Sequence, residues 1–434
     1  MDYQEAMDYL ANLTKFGFNF GLGRIKRLLT EVGNPQDKIK TVHIGGTNGK
    51  GSTSAMLSSM LQAAGYRVGV FTSPHLHSYR ERVVINGEQI PEEKVAGLLA
   101  RLKIVLDRMV EGGQEHPTEF EVNTALAFLY FFEEKVDLAV IEVGLGGLID
   151  STNVINPLIS VITNVGMDHM DYLGNTLEEI IRVKAGIIKD GGIVITAANR
   201  PEVLEIIEET CRQKSASLIK VWEDYDWTSL ESSAFGQRFS VISPQNEYRG
   251  LELTLTGEHQ LVNAATALAV TEALGQYHGL GIRMADVVEG LRNTRWPGRL
   301  EMILPGVLLD GAHNLDGAVT LSKALKQVFV YRKLILCIGM LADKERNKVL
   351  EILAPLTQKI VVTKPNSPRA GNWQEMAEQA GKYVQEVYLE ENIPRAVDLA
   401  ISLAGEGDLV CITGSLYMIA EARSYLLNKN LTLS

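Results

Sequence analysis

The stretch "VHIGGTNGKGSTS", Val42 to Ser54, decides the fold. Residues 40–46 read as a strand, and "GSTSAMLSSMLQAAG" reads as a helix with one apolar stripe. Between them lies a glycine-rich turn, Gly45, Gly46 and Gly49, followed by Lys50 and Gly51. Glycine lets backbone N–H groups wrap a phosphate, and the N-terminus of a helix adds a positive end. Lys50 supplies a point charge for the outer phosphates, and Ser52 or Thr53 a hydroxyl for the accompanying metal. A glycine-rich turn without a ligand is the bland alternative, but the flanking strand and helix favour a phosphate loop. One anomaly stands out. Gly51 separates Lys50 from the hydroxyl residues, and the first glycine lies at the wrong distance for the common spacing.

Outward from the loop, strands and helices alternate. "YRVGVFTS" (66–73) is a strand, and residues 75–90 form a polar surface loop or hairpin. Helices follow around 92–111 and 118–135. "VDLAVIEVG" and "PLISVITNVG" are β-branched strands of the kind buried on both faces. A helix near 176–189 and the strand "GIVITA" continue an α/β pattern with a mostly parallel sheet. Residues 216–256 interrupt it with short alternating strands, "RFSVIS" and "LELTLTG" among them, before the helix "HQLVNAATALAVTEALG". "NTRWPGRLE" then reads as a linker. Beyond it the alternation restarts with "GVLLDGAHN", "KLILCIGML", "KIVVTK", "EVYLE" and "DLVCITG". A chain of 434 residues exceeds one ordinary core, so two domains are expected. Residues 1–296 make a P-loop-type domain with a mostly parallel sheet and a small antiparallel element. Residues 297–434 make a smaller Rossmann-like α/β domain.

Composition narrows the partners. A net charge of −11 argues against non-specific nucleic-acid binding, so an anionic substrate needs a local cluster of cations or helix ends. The three cysteines show no metal-ligand spacing, and Cys337 and Cys411 lie in strand-like runs as buried small hydrophobes. The N-terminus "MDYQEAMDYL" has no apolar signal core, and no uncharged apolar run is long enough to span a bilayer. The expectation is a cytoplasmic monomer with no membrane or nucleic-acid partner.

Seven segments occur in one order: "TNGKGS" (47–52), "FTSPHL" (71–76), "IEVGLGG" (141–147), "TNVGMDHMDYLG" (163–174), "VKAGIIK" (183–189), "PGR" (297–299) and "DGAHN" (310–314). Together they resemble the folylpolyglutamate synthase and dihydrofolate synthase family, a branch of the Mur ligases. That family carries the "GTNGKGS" form of the loop, which accounts for Gly51. The resemblance implies an ATP-dependent amide ligase that adds L-glutamate to dihydropteroate, to the γ-carboxyl of reduced folates, or to both. A carboxylate must first be activated by phosphoryl transfer, which needs positioning and charge neutralisation, usually with Mg²⁺. A folylpolyglutamate synthase without the second activity and a peptidoglycan-precursor ligase are the neighbouring readings. A GTPase switch lacks its Asn-Lys-x-Asp motif here and leaves the C-terminal domain unexplained.

Residue by residue, the resemblance assigns Gly46, Thr47, Asn48, Gly49, Lys50, Gly51 and Ser52 to ATP, with Asn263, Arg299 and Asp310 as further nucleotide contacts. Their bland alternatives are a helix-surface amide, a linker charge and a turn aspartate. Two Mg²⁺ ions are implied, held by Ser73, Glu142, His169 and Lys184. Glu142 ends a buried strand at the carboxyl edge of the sheet, where ligands of open α/β folds bind. His169 is an unusual Mg²⁺ ligand on grounds of softness. By pattern alone Lys184 lies on a solvated helix face. By resemblance it is carbamylated, which requires a neutral, desolvated amine. His313 is assigned to the incoming amino acid or the transferred phosphate. On the acceptor side stand Arg24, Arg82, Glu119, Phe120 and Asp150, with Phe120 either stacking on a flat heterocycle or simply packing its helix. Leu148 stands where the family commonly has Arg.

Overall fold

The computed structural model describes residues 1–14, 17 and 21–431. The phosphate-loop strand is β1 (Thr41–Gly45), at the centre of an eight-stranded sheet. The other strands are β2 (Val68–Phe71), β3 (Val83–Ile85), β4 (Glu88–Gln89), β5 (Leu138–Glu142), β6 (Ile159–Ile162), β7 (Ile193–Thr196) and β8 (Ser217–Lys220). They run in the order β4-β3-β2-β5-β1-β6-β7-β8. β2, β5, β1, β6, β7 and β8 are mutually parallel, and β3 and β4 add an antiparallel edge. Residues 75–90 are therefore a short helical turn, Tyr79–Arg82, followed by a hairpin that extends the sheet. β1 pairs with β5 on one side and β6 on the other, although neither is its neighbour in sequence. That crossover opens a crevice at the carboxyl ends of β1, β5 and β6, the usual ligand position in such sheets.

Local sequence explains the elements. β1, β2, β5 and β6 are buried along their whole length, as their Val and Ile content requires. The helix Glu119–Glu133 starts with a capping box, in which Thr118 and Glu121 satisfy each other's backbone N–H groups. Thr176 and Glu179 do the same for the helix Leu177–Lys184. That helix is shorter than the pattern predicts and tightens into a 3₁₀ turn at Ala185–Ile187. All three cysteines are free and buried. Among the described residues no helix is long and apolar enough to cross a membrane.

A three-stranded sheet, β11-β10-β9, follows, with β9 (Asp226–Ser233), β10 (Gly236–Ile242) and β11 (Glu247–Leu253). Six strands make the last sheet, β12 (Glu301–Leu304), β13 (Val307–Leu309), β14 (Leu334–Ile338), β15 (Lys359–Val362), β16 (Glu386–Leu389) and β17 (Leu409–Thr413). Their order is β12-β13-β17-β14-β15-β16, parallel except for β12. The chain forms two compact units. The first comprises Met1–Trp227, Val241–Tyr248 and Val262–Asn293. The second comprises Thr228–Ser240, Arg249–Leu261 and Thr294–Ser434.

The helix Glu258–His278 carries Asn263 near its start and Glu272 further along. Glu272 is 6% exposed, and its carboxylate accepts hydrogen bonds from Tyr225 (2.8 Å), Tyr248 (3.0 Å), Ser243 (2.6 Å) and Asn246 (2.9 Å). A buried carboxylate is tolerable only with such compensation. Replacing Glu272 by Leu strands these donors and is expected to cost about 2–4 kcal/mol of the first unit's stability, against about 1 kcal/mol for Tyr248→Phe. Urea unfolding of the two variants checks the difference, and equal small losses would show that the carboxylate is not the anchor.

Candidate active site

The loop after β1 is built as its sequence demands. Gly46 and Gly49 have φ of 137° and 85°, values that disfavour any side chain. A Cβ on Gly46 would collide with Thr163, and one on Gly49 with the Asn263 side chain. Asn263 is thus not a helix-surface amide; it is buried against the phosphate loop. The segment after β6 braces the loop from the other side. Thr47 N–H donates to the Asn164 carbonyl (2.9 Å), and Asn48 N–H to Asn164 Oδ1 (2.7 Å). Thr163 Oγ1 donates to the Asn48 carbonyl (2.7 Å). Thr163 and Asn164 were missed as single residues, although "TNVG" belonged to a quoted motif. Thr163 is buried and Asn164 half-buried, and only the parallel pairing of β1 with β6 brings them to the loop.

Two ammonium groups converge here. Lys50 Nζ donates to the carbonyls of Gly46 and Thr47, each at 3.2 Å, and Lys184 Nζ donates to the same Gly46 carbonyl at 3.0 Å. The Glu142 carboxylate, at the carboxyl end of β5, lies 4.0 Å from Lys50 Nζ. The pattern-based place for Lys184 on a solvated face is incorrect, since it is 4% exposed. Glycine-rich backbone leaves room for that side chain to reach from its helix end into the loop. Burial, and then the charge of Lys50, push its pKa down to about 7.

Ser73 lies two residues beyond the end of β2, and His169 follows β6 in a left-handed conformation with φ of 53°. His169 N–H donates to its neighbour Asp168, whose carboxylate is buried. Among the described residues no three His, Cys, Asp or Glu side chains group as a ready-made metal cage. Mg²⁺ seldom uses such a cage. It takes one or two hard oxygens from protein and the rest from phosphate and water, which the Glu142 carboxylate and Ser73 hydroxyl fit.

The acceptor-side residues form a second cluster. Phe120 packs on Phe71 with centroids 5.9 Å apart, and its ring fills the place where a Cβ of Gly144 would stand. Glu119 accepts from Asn123 Nδ2 (3.2 Å), and Asn123 Oδ1 accepts from Tyr79 (2.9 Å). Arg82 lies 3.9 Å from Glu119 and donates through Nε to His75 Nδ1 (2.9 Å). Burial, then the Arg82 charge, holds the His75 pKa down to about 4.

Two expected ligand residues have structural work. Arg24 pairs with Glu121 and Glu115, each at 3.1 Å, bracing the helix Gly23–Glu31 against the helix Glu119–Glu133. Asp150 is 4% exposed and accepts from the Leu145 N–H (2.7 Å), the Thr152 N–H (3.0 Å) and the Thr152 hydroxyl, shaping the loop 144–152. Burial pushes its pKa up, opposed by those hydrogen bonds. Behind it, fully buried His43 bonds Thr152 (2.8 Å). Sequence reasoning passed over His43 as part of a strand. Leu148, where the family commonly has Arg, is exposed.

In the second unit Asp310 is buried rather than a loose turn residue. It accepts from the N–H groups of Leu300 (3.0 Å) and Ala312 (2.9 Å). Burial raises its pKa against the pull of Arg299. Arg299 donates to the Gly298 carbonyl at 3.3 Å and packs so closely on Gly311 that no side chain fits there. His313 Nδ1 lies 2.8 Å from the Gly311 carbonyl. Asn314 caps the following helix, Leu315–Gln327.

Residues 44–271 match the Mur ligase middle domain, and residues 298–416 match the Mur ligase glutamate ligase domain. The chain is 38% identical over 427 residues to a dihydrofolate synthase/folylpolyglutamate synthase of Bacillus subtilis, covering 98% of this chain and 99% of that protein. It superposes on a Mycobacterium tuberculosis folylpolyglutamate synthase complexed with ADP with a TM-score of 0.91 and 33% identity, covering 98% of this chain and 99% of that one. Against the Escherichia coli protein FolC in complex with DHPP and ADP the TM-score is 0.88 at 28% identity, covering 99% of both chains.

The Lys184 amine makes a prediction that needs no turnover. An unfolded chain holds the lysine proton up to the ordinary value of 10.5, whereas the folded protein releases it near 7. Between these values the unfolded state binds more protons, so stability gains a contribution as pH rises from about 7 toward 10.5. Lys184→Met removes that contribution. Denaturation in CO₂-free buffer across this range should show a shallower rise for the variant, and parallel curves would show an ordinary lysine.

Proposed function

The chain belongs to the folylpolyglutamate synthase and dihydrofolate synthase branch of the Mur ligases, and from this premise we propose that it joins L-glutamate to dihydropteroate and to the γ-carboxyl of reduced folates. It is an ATP-dependent ligase. The observation that carries the reading is the junction of its two clusters. Glu142, beside Lys50, lies two residues before Gly144, on which the Phe120 ring rests. A flat aromatic acceptor packed on Phe120 thereby reaches the phosphate loop with its carboxylate.

The chemistry follows from that placement. A carboxylate oxygen of the acceptor takes the γ-phosphoryl group, which leaves ADP and an acyl phosphate. The glutamate amine attacks the acyl carbon, phosphate departs, and the amine loses a proton. The loop amides and Lys50 hold the phosphates, and Lys50 meets charge that develops on the transferring group. Magnesium, when bound, neutralises the phosphate oxygens; Ser73, Glu142, His169 and a modified Lys184 are its proposed holders. Lys184 in its neutral form adds CO₂ at Nζ and releases a proton, so a cation becomes a carboxylate-like oxygen donor. Its burial and lowered pKa support this. Asn263, Arg299 and Asp310 are the proposed further nucleotide contacts, and His313 serves the amino acid or the phosphate. Glu119, Phe120 and Arg82 hold the acceptor, while Arg24 and Asp150 act through the helix and loop that they brace. The dual name of the Bacillus subtilis relative supports both activities.

ADP release with ATP, Mg²⁺ and glutamate should be driven by dihydropteroate and by tetrahydrofolate, and not by a UDP-muramyl peptide. Inert dihydropteroate beside active folate would leave folylpolyglutamate synthase alone. Lys50→Ala should slow turnover by at least ~10²-fold while the protein stays folded. Lys184→Ala should be similarly impaired and partly restored by acetate, which supplies a carboxylate to the vacated space. A fully active Lys184→Ala enzyme would sink the carbamate.

A further inference from the structure

The guanidinium of Arg82 is held from behind and left open in front. Its Nε–H donates to His75 Nδ1 at 2.9 Å, and its plane lies over the Tyr79 ring, 5.9 Å from the centroid. The nearest carboxylate, Glu119, stands 3.9 Å from Nη1, beyond hydrogen-bond reach, and is itself held by Asn123. Among the described residues neither Nη1 nor Nη2 makes a hydrogen bond, although the side chain is only 14% exposed. A part-buried guanidinium normally spends its outer fork on an anion, and the fork matches a carboxylate bidentately.

His75 decides where that fork points. A donor at Nε needs a lone pair at Nδ1, so the imidazole carries its hydrogen on Nε2. This bond fixes the torsion of the arginine stem. Without it the long side chain has a free choice of rotamers and can close on Glu119, which would quench the fork. We propose that His75 is a positioning residue, which aims the outer fork of Arg82 at a carboxylate of the acceptor substrate. The inference rests on the reading above that the acceptor is a pteroyl carboxylate. It adds a residue that touches neither ATP nor the reacting atoms, yet sets acceptor affinity. Its consequence is selective: the nucleotide loop is held by hydrogen bonds from Thr163 and to Asn164 and by packing on Asn263, whereas the hydrogen bond of His75 goes to Arg82.

Two substitutions separate positioning from packing. His75→Leu keeps bulk and removes the acceptor atom. His75→Asn places an amide oxygen near the position of Nδ1 and keeps the bond to Arg82. Steady-state kinetics of wild type and both variants would be measured with dihydropteroate and with tetrahydrofolate, beside calorimetric binding of each acceptor without ATP. His75→Leu should raise KM and Kd for the acceptor about tenfold or more, as for loss of a hydrogen bond to a charged group, and leave KM for ATP within about twofold. His75→Asn should recover most of the loss. An unchanged acceptor KM in His75→Leu, equal defects in both variants, or a matching rise in KM for ATP would each overturn the positioning role. A wild-type protein that neither binds nor uses either acceptor would overturn the function reading, and this inference with it.

Discussion

Two lysine ammonium groups share the carbonyl of Gly46, and much of the first unit is arranged to make that possible. Like charges so close repel, and a buried one also loses its hydration. They are brought together from far apart in the chain: Lys50 opens the helix after β1, and Lys184 closes a helix after β6. Each donates a hydrogen bond to the same oxygen. The arrangement is costly without an anion and favourable with one. Under the proposed function, phosphate oxygens would relieve Lys50 directly, and loss of charge at Lys184 would remove the repulsion altogether. At the proposed ATP site, stability lost locally here would be recovered as affinity for a polyphosphate, the form in which functional sites commonly store strain.

The surrounding bonds serve this one point. Gly46 cannot carry a side chain, because Thr163 occupies the space. Thr163 and Asn164 hold the loop's backbone, so its open geometry does not collapse onto the lysines. Asn263 closes the third side, and its helix is tied down by the four donors on Glu272. Glu142 supplies a countercharge for Lys50 at 4.0 Å. The site is preorganised by backbone and buried polar groups, which do not relax when the ligand's charge changes.

The parallel sheets were legible in the sequence because most of their strands are continuous apolar runs, a signal that burial on both faces produces. The helices around 118–135 and near 176–189 were legible in outline, and the structure fixes their starts with capping boxes at Thr118 and Thr176. Lys184 was not. Its helix has a polar face by periodicity, and only the approach of the glycine loop turns that position into an interior one. For residues 75–90 the sequence left a loop and a hairpin both open, since strands of three and two residues carry little periodic signal. Arg24 and Asp150 show a different limit. Motif position placed them near the acceptor, whereas their partners, Glu121 and the Leu145 N–H, are fixed by folding. Sequence can place a charged residue in a neighbourhood, but only packing decides whether its charge is already spent.

That distinction orders the acceptor side. Asp150 is satisfied by the loop it shapes, and Arg24 by two carboxylates. Arg82 alone of the three keeps an outer fork without a hydrogen bond among the described residues, and Glu119 beside it is restrained from pairing closely. A carboxylate entering this cluster meets a cation whose desolvation has already been met by folding. It would compete only with the long 3.9 Å ion pair to Glu119 and with no hydrogen bond of the outer fork, so its hydrogen bonds would add to affinity instead of replacing others. The two cationic clusters are thus built by opposite means: the glycine loop concentrates two lysine charges on one carbonyl, while the Arg82 cluster holds a single guanidinium still through His75.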